Sequence, residues 1–145
     1  MKSRTTRGFT LVELMIVAVI VAILAAVAIP LMSANKTRAV ATEAEAALGT
    51  IRSVLRGTYA QTDAYDVDIS GAAVALGSAT NLTGLVGEDL EGRYFSAECY
   101  AITAIGADHY TVTATGDDST AAGAAEAAGV VITLDEDGNF TRALP

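Results

Sequence analysis

Tryptophan is absent, and cysteine and histidine each occur once, as Cys99 and His109. A single thiol excludes an intrachain disulfide, and one thiol with one imidazole excludes a multi-thiolate zinc site and a multi-histidine metal centre. Charge is also sparse: 18% of the 145 residues are charged, while 52% are hydrophobic and the mean hydropathy is +0.42. Ordinary soluble domains carry about 25% charged residues, so the composition argues against a disordered chain and points to a membrane segment. The charges present are unevenly signed. Three of the nine Lys and Arg residues (Lys2, Arg4, Arg7) precede Gly8, and all seventeen Asp and Glu residues follow it. A body with six bases against seventeen acids repels phosphate backbones, which disfavours nucleic acid as a partner of its bulk surface. Neither GxxxxGK[ST] nor GxGxxG occurs, so nucleotide binding has no support and no cofactor is expected. His109, the one imidazole, falls on a Thr-rich strand face and reads as a solvated side chain. No enzyme activity is expected.

What is present in excess is an uninterrupted apolar segment. The 22 residues from Leu14 to Asn35 carry no charge and are dominated by Leu, Ile, Val, Met and Ala. At about 1.5 Å per residue a helix of that length reaches about 33 Å, enough to cross a bilayer core of about 30 Å. The bases before it and the acidic body after it predict an N-terminus in the cytoplasm and an exported body. In a secretory signal peptide the small-residue cleavage site follows the apolar stretch. Here the small residue, Gly8, precedes it. Cleavage at Gly8 would remove a basic leader, residues 1–8, and keep the hydrophobic segment as an anchor.

The run Arg7-Gly8-Phe9-Thr10-Leu11-Val12-Glu13-Leu14-Met15-Ile16-Val17 resembles the class III signal of bacterial type IV pilins and type II secretion pseudopilins. The resemblance covers about residues 7–32, under a fifth of the chain; the remainder agrees only in general layout. It implies cleavage between Gly8 and Phe9 by a prepilin peptidase, followed by methylation of the new N-terminal Phe9. It also implies a helix-kinking role for Pro30 and an assembly role for Glu13. A carboxylate beside a bilayer core is costly unless it is paired or near the headgroups, and the first turn of a helix favours negative charge. Glu13 thus reads either as an inconsequential interfacial acid or, as the resemblance implies, as the partner of the free α-amine of Phe9 on a neighbouring subunit.

Beyond Pro30 the pattern becomes amphipathic. Val40, Ala44, Ala47, Ile51 and Leu55 recur at helical spacing, with charged residues mostly elsewhere on the wheel, and Gly57 reads as a stop. One helix over 9–57 is predicted, with 9–32 as the membrane-spanning or filament-core part. It is about 70 Å long, so its first half should protrude and its second half should pack on the body. Residues 58–92 read as a long connection with helical turns near Ala72 to Leu76 and Leu82 to Leu90. Residues 93–145 read as sheet. Alternation predicts strands at 94–101, with Phe95, Ala97, Cys99 and Ala101 inward, and at 109–115, joined by a hairpin turn at Gly106-Ala107-Asp108. A further strand at 130–134 has Val130, Ile132 and Leu134 on one face, and a last strand runs from Asn139 to Leu144. Gly116 to Gly129 reads as a surface loop with one helical turn. The fold class is α+β, a long N-terminal helix on an antiparallel sheet of three or four strands, which is the pilin-like layout.

Asp135-Glu136-Asp137-Gly138-Asn139 has a partial likeness to a calcium loop, but Thr133 stands where the EF-hand pattern needs an Asp, so a hairpin turn is expected and Asp135 and Asp137 remain weak candidates. Some secretion pseudopilins bind calcium near their C-terminal end, and the resemblance implies that role for these two residues. Cys99 is expected to be a small buried hydrophobe. Many pilins close a C-terminal loop with a disulfide, which this chain cannot form. Asn35, Asn81 and Asn139 begin glycosylation sequons, which carry little weight in a bacterial-looking chain.

Between Phe9 and Met32 lie sixteen large apolar side chains. Exposing them to water would cost on the order of 25–50 kcal/mol at about 1.5–3 kcal/mol each. Two environments avoid that cost: a bilayer, or a bundle of identical helices in an open, head-to-tail filament. The resemblance implies a type IV pilus subunit, with an inner-membrane platform and a cytoplasmic ATPase as assembly partners, residence in the inner membrane before assembly and on the cell surface afterwards. A secretion pseudopilin, a minor pilin and, remotely, a membrane-anchored enzyme or binding protein are the alternatives.

Overall fold

The computed structural model describes residues 8–145. The basic leader, apart from Gly8, lies outside the described residues. The chain forms two compact units, Met1–Asn35 and Lys36–Pro145. Helix α1, Leu11–Thr62, contributes to both and contains Pro30.

In the first unit α1 starts with a reciprocal cap. The Thr10 hydroxyl accepts from the Glu13 amide at 3.2 Å, and the Glu13 carboxylate accepts from the Thr10 amide and hydroxyl, each at 2.8 Å. This is a Thr-x-x-Glu capping box, which satisfies two of the donors that every helix start leaves open.

In the second unit α1 lays its apolar stripe on the sheet. Val40, Ala44, Leu48, Ile51 and Leu55 are fully buried, at spacings of four, four, three and four residues. Ala47, predicted within the stripe, lies at its margin and is half-buried; Leu48 takes the central place. The predicted stop at Gly57 is overturned, since α1 continues to Thr62. An interior glycine costs about 1 kcal/mol relative to alanine. The extra turn more than offsets it by burying Thr58 and stacking Tyr59 on Tyr65, with ring centroids 4.5 Å apart. Asp63 ends the helix with φ of 60° and donates its amide to the Tyr59 carbonyl at 2.8 Å. Asp is among the few side chains that tolerate this left-handed conformation.

Five antiparallel strands form one meander in the order β1 (Gly77–Ser78), β2 (Tyr100–Ile105), β3 (Tyr110–Thr115), β4 (Val131–Asp135) and β5 (Phe140–Ala143). The expectation of three or four strands missed β1, two residues long and too short to alternate. Tyr110, Val112 and Ala114 on β3, and Ile132 and Leu134 on β4, are fully buried beside Val130. The β2–β3 turn falls where expected, with the Gly106 amide donating to the His109 carbonyl at 2.9 Å.

The strand predicted at 94–101 does not form there. Ala97–Cys99 is a 3₁₀ turn and β2 begins at Tyr100. Phe95, Ser96, Ala97, Cys99 and Tyr100 are all buried, so side chains from a run, rather than from alternate positions, enter the core. The backbone here is satisfied by side chains instead of a strand partner: Glu43 accepts from the amides of Tyr94 (2.7 Å) and Phe95 (3.0 Å), and Glu91 from that of Ala97 (3.1 Å). Tyr100, predicted outward, faces the core, because β2 starts one residue out of the expected phase.

The 63–92 connection is anchored by buried Tyr65, Ala79, Leu82, Leu85 and Leu90. It carries 3₁₀ turns at Ala79–Asn81 and Gly87–Leu90. The helical turn predicted near Ala72 to Leu76 is replaced by a loop closed by a Val67–Ala73 bridge. Asp68 shapes that loop, accepting from the Ser70 amide and hydroxyl, the Ala72 amide and the Thr83 hydroxyl. The 116–129 segment holds a 3₁₀ turn, Gly116–Asp118, and the single turn α2, Ala124–Ala127. It is less superficial than expected, because Ala127 is fully buried and a Cβ on Gly116 would collide with the Ala127 carbonyl oxygen.

Without a disulfide, β5 is held by its ladder to β4, by an ion pair between Arg142 and Glu45, and by Arg52, whose guanidinium donates to the Asp137 carbonyl at 3.0 Å.

Candidate functional site

The residues singled out at the N-terminus fall together on a short stretch of chain. Residues 8–10 are non-helical, and α1 starts at Leu11, two residues beyond the Gly8–Phe9 peptide. Gly8 is exposed, and a Cβ built on it meets nothing within 4 Å among the described residues. Phe9 is 81% exposed. The Gly8–Phe9 bond thus lies in backbone outside the helix, with room on the Gly8 side.

Glu13 is brought beside the residue that follows Phe9. Its carboxylate is held at the Thr10 amide by the capping box, which orients it toward the N-terminal end of the helix. The role of Thr10 in this arrangement is not among the sequence expectations. Its signal was present, since Thr10-Leu11-Val12-Glu13 is a hydroxyl residue followed three positions later by Glu ahead of an apolar run. Past the cap, the large apolar side chains from Phe9 to Met32 are all more than half exposed, the lowest being Ile20 at 52%. This is the only helix among the described residues long and apolar enough to cross a membrane. Pro30 lies inside it, where its missing N–H removes one backbone donor.

The other candidates disperse. His109 stands at the exposed β2–β3 turn, its Nδ1 2.9 Å from the Asp108 carboxylate, and that hydrogen bond raises the imidazole pKa while lowering that of Asp108. Cys99 is buried, 3.6 Å from the Ser96 hydroxyl. The Asp135 carboxylate takes the Asn139 amide at 2.8 Å and its side-chain nitrogen at 3.0 Å, which lowers its pKa and closes the β4–β5 turn. Asp137 contributes its carbonyl to Arg52. Among the described residues no three His, Cys, Asp or Glu side chains converge to hold a metal ion.

No curated protein matches the chain significantly. A crystal structure of PilV, a non-core minor pilin of Neisseria meningitidis, aligns with a TM-score of 0.47 at 15% identity, covering 75% of this chain and 88% of that one. The model of the prokaryotic N-terminal methylation motif matches residues 3–29, the stretch that contains Gly8, Phe9 and Glu13, so the chain carries that motif at its N-terminus.

Proposed function

We propose that this chain is a structural subunit of a type IV pilus, made as a membrane-anchored precursor and polymerised through its N-terminal helix. A prepilin peptidase hydrolyses the Gly8–Phe9 bond: the hydroxyl of water ends on the Gly8 carboxyl group and its proton on the Phe9 nitrogen. The freed amine then takes a methyl group from an activated methyl donor, which departs without it as the amine loses a proton. The mature chain begins at Phe9, and residues 9–32 serve first as the anchor and then as the filament core. Glu13 pairs with the Phe9 amine of a neighbouring subunit, Pro30 relieves the helix locally, and an inner-membrane platform with a cytoplasmic ATPase drives extraction. The body faces the periplasm and then the exterior.

One observation carries this reading. The large apolar side chains of residues 9–32 are exposed along the segment bearing the methylation motif, so lipid or other copies must cover them. Shearing cells, imaging the released material and sequencing it by mass spectrometry tests it. Surface filaments made of this chain, starting at N-methylated Phe9, are expected. Short filaments confined to the periplasm would assign it to a secretion pseudopilus instead.

A further inference from the structure

We infer that Thr10 is a positioning residue for leader removal: by capping α1 it fixes the helix start beyond the scissile bond and keeps Gly8–Phe9 accessible to the peptidase. The inference rests on the cleavage assigned above. A peptide bond inside a helix has its amide and carbonyl groups engaged and its faces covered by neighbouring turns, so a hydrolase needs it unwound. Residues 8–10 are non-helical and Leu11 is already helical. The element that draws this line is the Thr10 hydroxyl, which accepts from the Glu13 amide at 3.2 Å and donates to the Glu13 carboxylate at 2.8 Å. The next hydroxyls upstream in sequence belong to Thr6 and Thr5. A helix capped at either would run across the Gly8–Phe9 bond. Thr10 therefore selects the helix start that leaves the bond free. Glu13 is the lesser half of the box for this purpose, because the Thr10 hydroxyl still caps the residue 13 amide when the carboxylate is gone.

The test uses the full-length precursor in detergent micelles with membranes containing the peptidase. A helix that covers the bond reduces the fraction of substrate competent to bind, which raises KM without slowing the bound complex. Loss of one cap shifts such an equilibrium about fivefold. Thr10→Val should therefore raise KM by up to about threefold, because the bond is already free in most of the parent, with kcat unchanged; Thr10→Ser and Thr10→Asn should restore it, and Glu13→Ala should stay closer to the parent than Thr10→Val does. Backbone carbon chemical shifts of residues 8–10 should move toward helical values in Thr10→Val alone. Unchanged KM, a fall in kcat alone, or an unmoved helix start in Thr10→Val would overturn the inference. If the parent chain itself is not cut between Gly8 and Phe9, the failure lies in the proposed function and not in the role of Thr10.

Discussion

The two portions of α1 share one backbone geometry and opposite surroundings. From Leu11 to Met32 every large apolar side chain is at least half exposed; from Val40 to Leu55 the stripe Val40, Ala44, Leu48, Ile51 and Leu55 is fully buried. The helical form is secured locally in both, by backbone hydrogen bonds and, at the start, by the Thr10–Glu13 cap. What differs is where the apolar surface goes. In the second portion the chain's own sheet covers a narrow stripe, leaving charged residues such as Arg38 and Arg56 exposed. In the first, apolar residues surround the helix on all sides, the pattern of a helix meant to be enclosed by lipid or by neighbours.

The comparison is broken most forcefully by trimming one side chain in each portion. Leu48→Ala should lower the stability of the folded body by about 2–5 kcal/mol, because it opens a cavity between α1 and the sheet. Ile20→Ala, measured on the same full chain in detergent, should change it by less than about 0.5 kcal/mol. Equal losses would show that both portions are packed by the chain itself. Thermal or denaturant unfolding followed by near-ultraviolet circular dichroism of the tyrosines reads both.

Charge sharpens the contrast next. Glu13→Ala should leave membrane insertion and leader removal near normal while filament yield, counted by electron microscopy, falls below a tenth of the parent (about 1.4 kcal/mol or more of assembly free energy). Normal filament yield would mean that Glu13 is not an assembly residue. Gly8→Leu should accumulate uncut precursor on immunoblots. A Cβ on Gly8 meets no described residue within 4 Å, so this block would arise at the peptidase.

The smallest effect lies in the body. Hydrogen bonds, from the Ser70 hydroxyl first and then the Ala72 amide, hold the Asp68 pKa at about 2, below its ordinary 3.8. A carboxylate depressed in the folded state stabilises that state above its ordinary pKa and loses the contribution as pH falls toward its folded value. The melting temperature should therefore drop slightly as pH is lowered from about 4 to about 2, and Asp68→Asn should remove that part of the decline. An identical decline in the variant would show that the Asp68 loop is uncoupled from folding.

How much of this was visible beforehand follows from where the hydrogen bonds go. The exposed apolar segment, strand β3, the β4–β5 hairpin and the core face of α1 announced themselves because each follows one repeat period and satisfies its own backbone. The turn at Ala97–Cys99 did not, because the Tyr94 and Phe95 amides before it are taken by Glu43 and the Ala97 amide by Glu91, side-chain partners that no strand alternation reports. The end of α1 was misplaced for a related reason: Gly57 is a local stop signal, overridden by Tyr59 and Tyr65 stacking across a turn that periodicity does not report. At the candidate site Gly8, Phe9 and Glu13 could be picked out from their order alone. The hydrogen bonds from Thr10 that orient Glu13 required coordinates, although the Thr-x-x-Glu spacing was available.

The most direct measurement is the N-terminal residue and solubility of the mature protein recovered from cells. The account predicts a chain that begins at Phe9, stays with the membrane fraction until detergent is added, and retains residues 9–35. A water-soluble monomer beginning beyond Asn35 would contradict it.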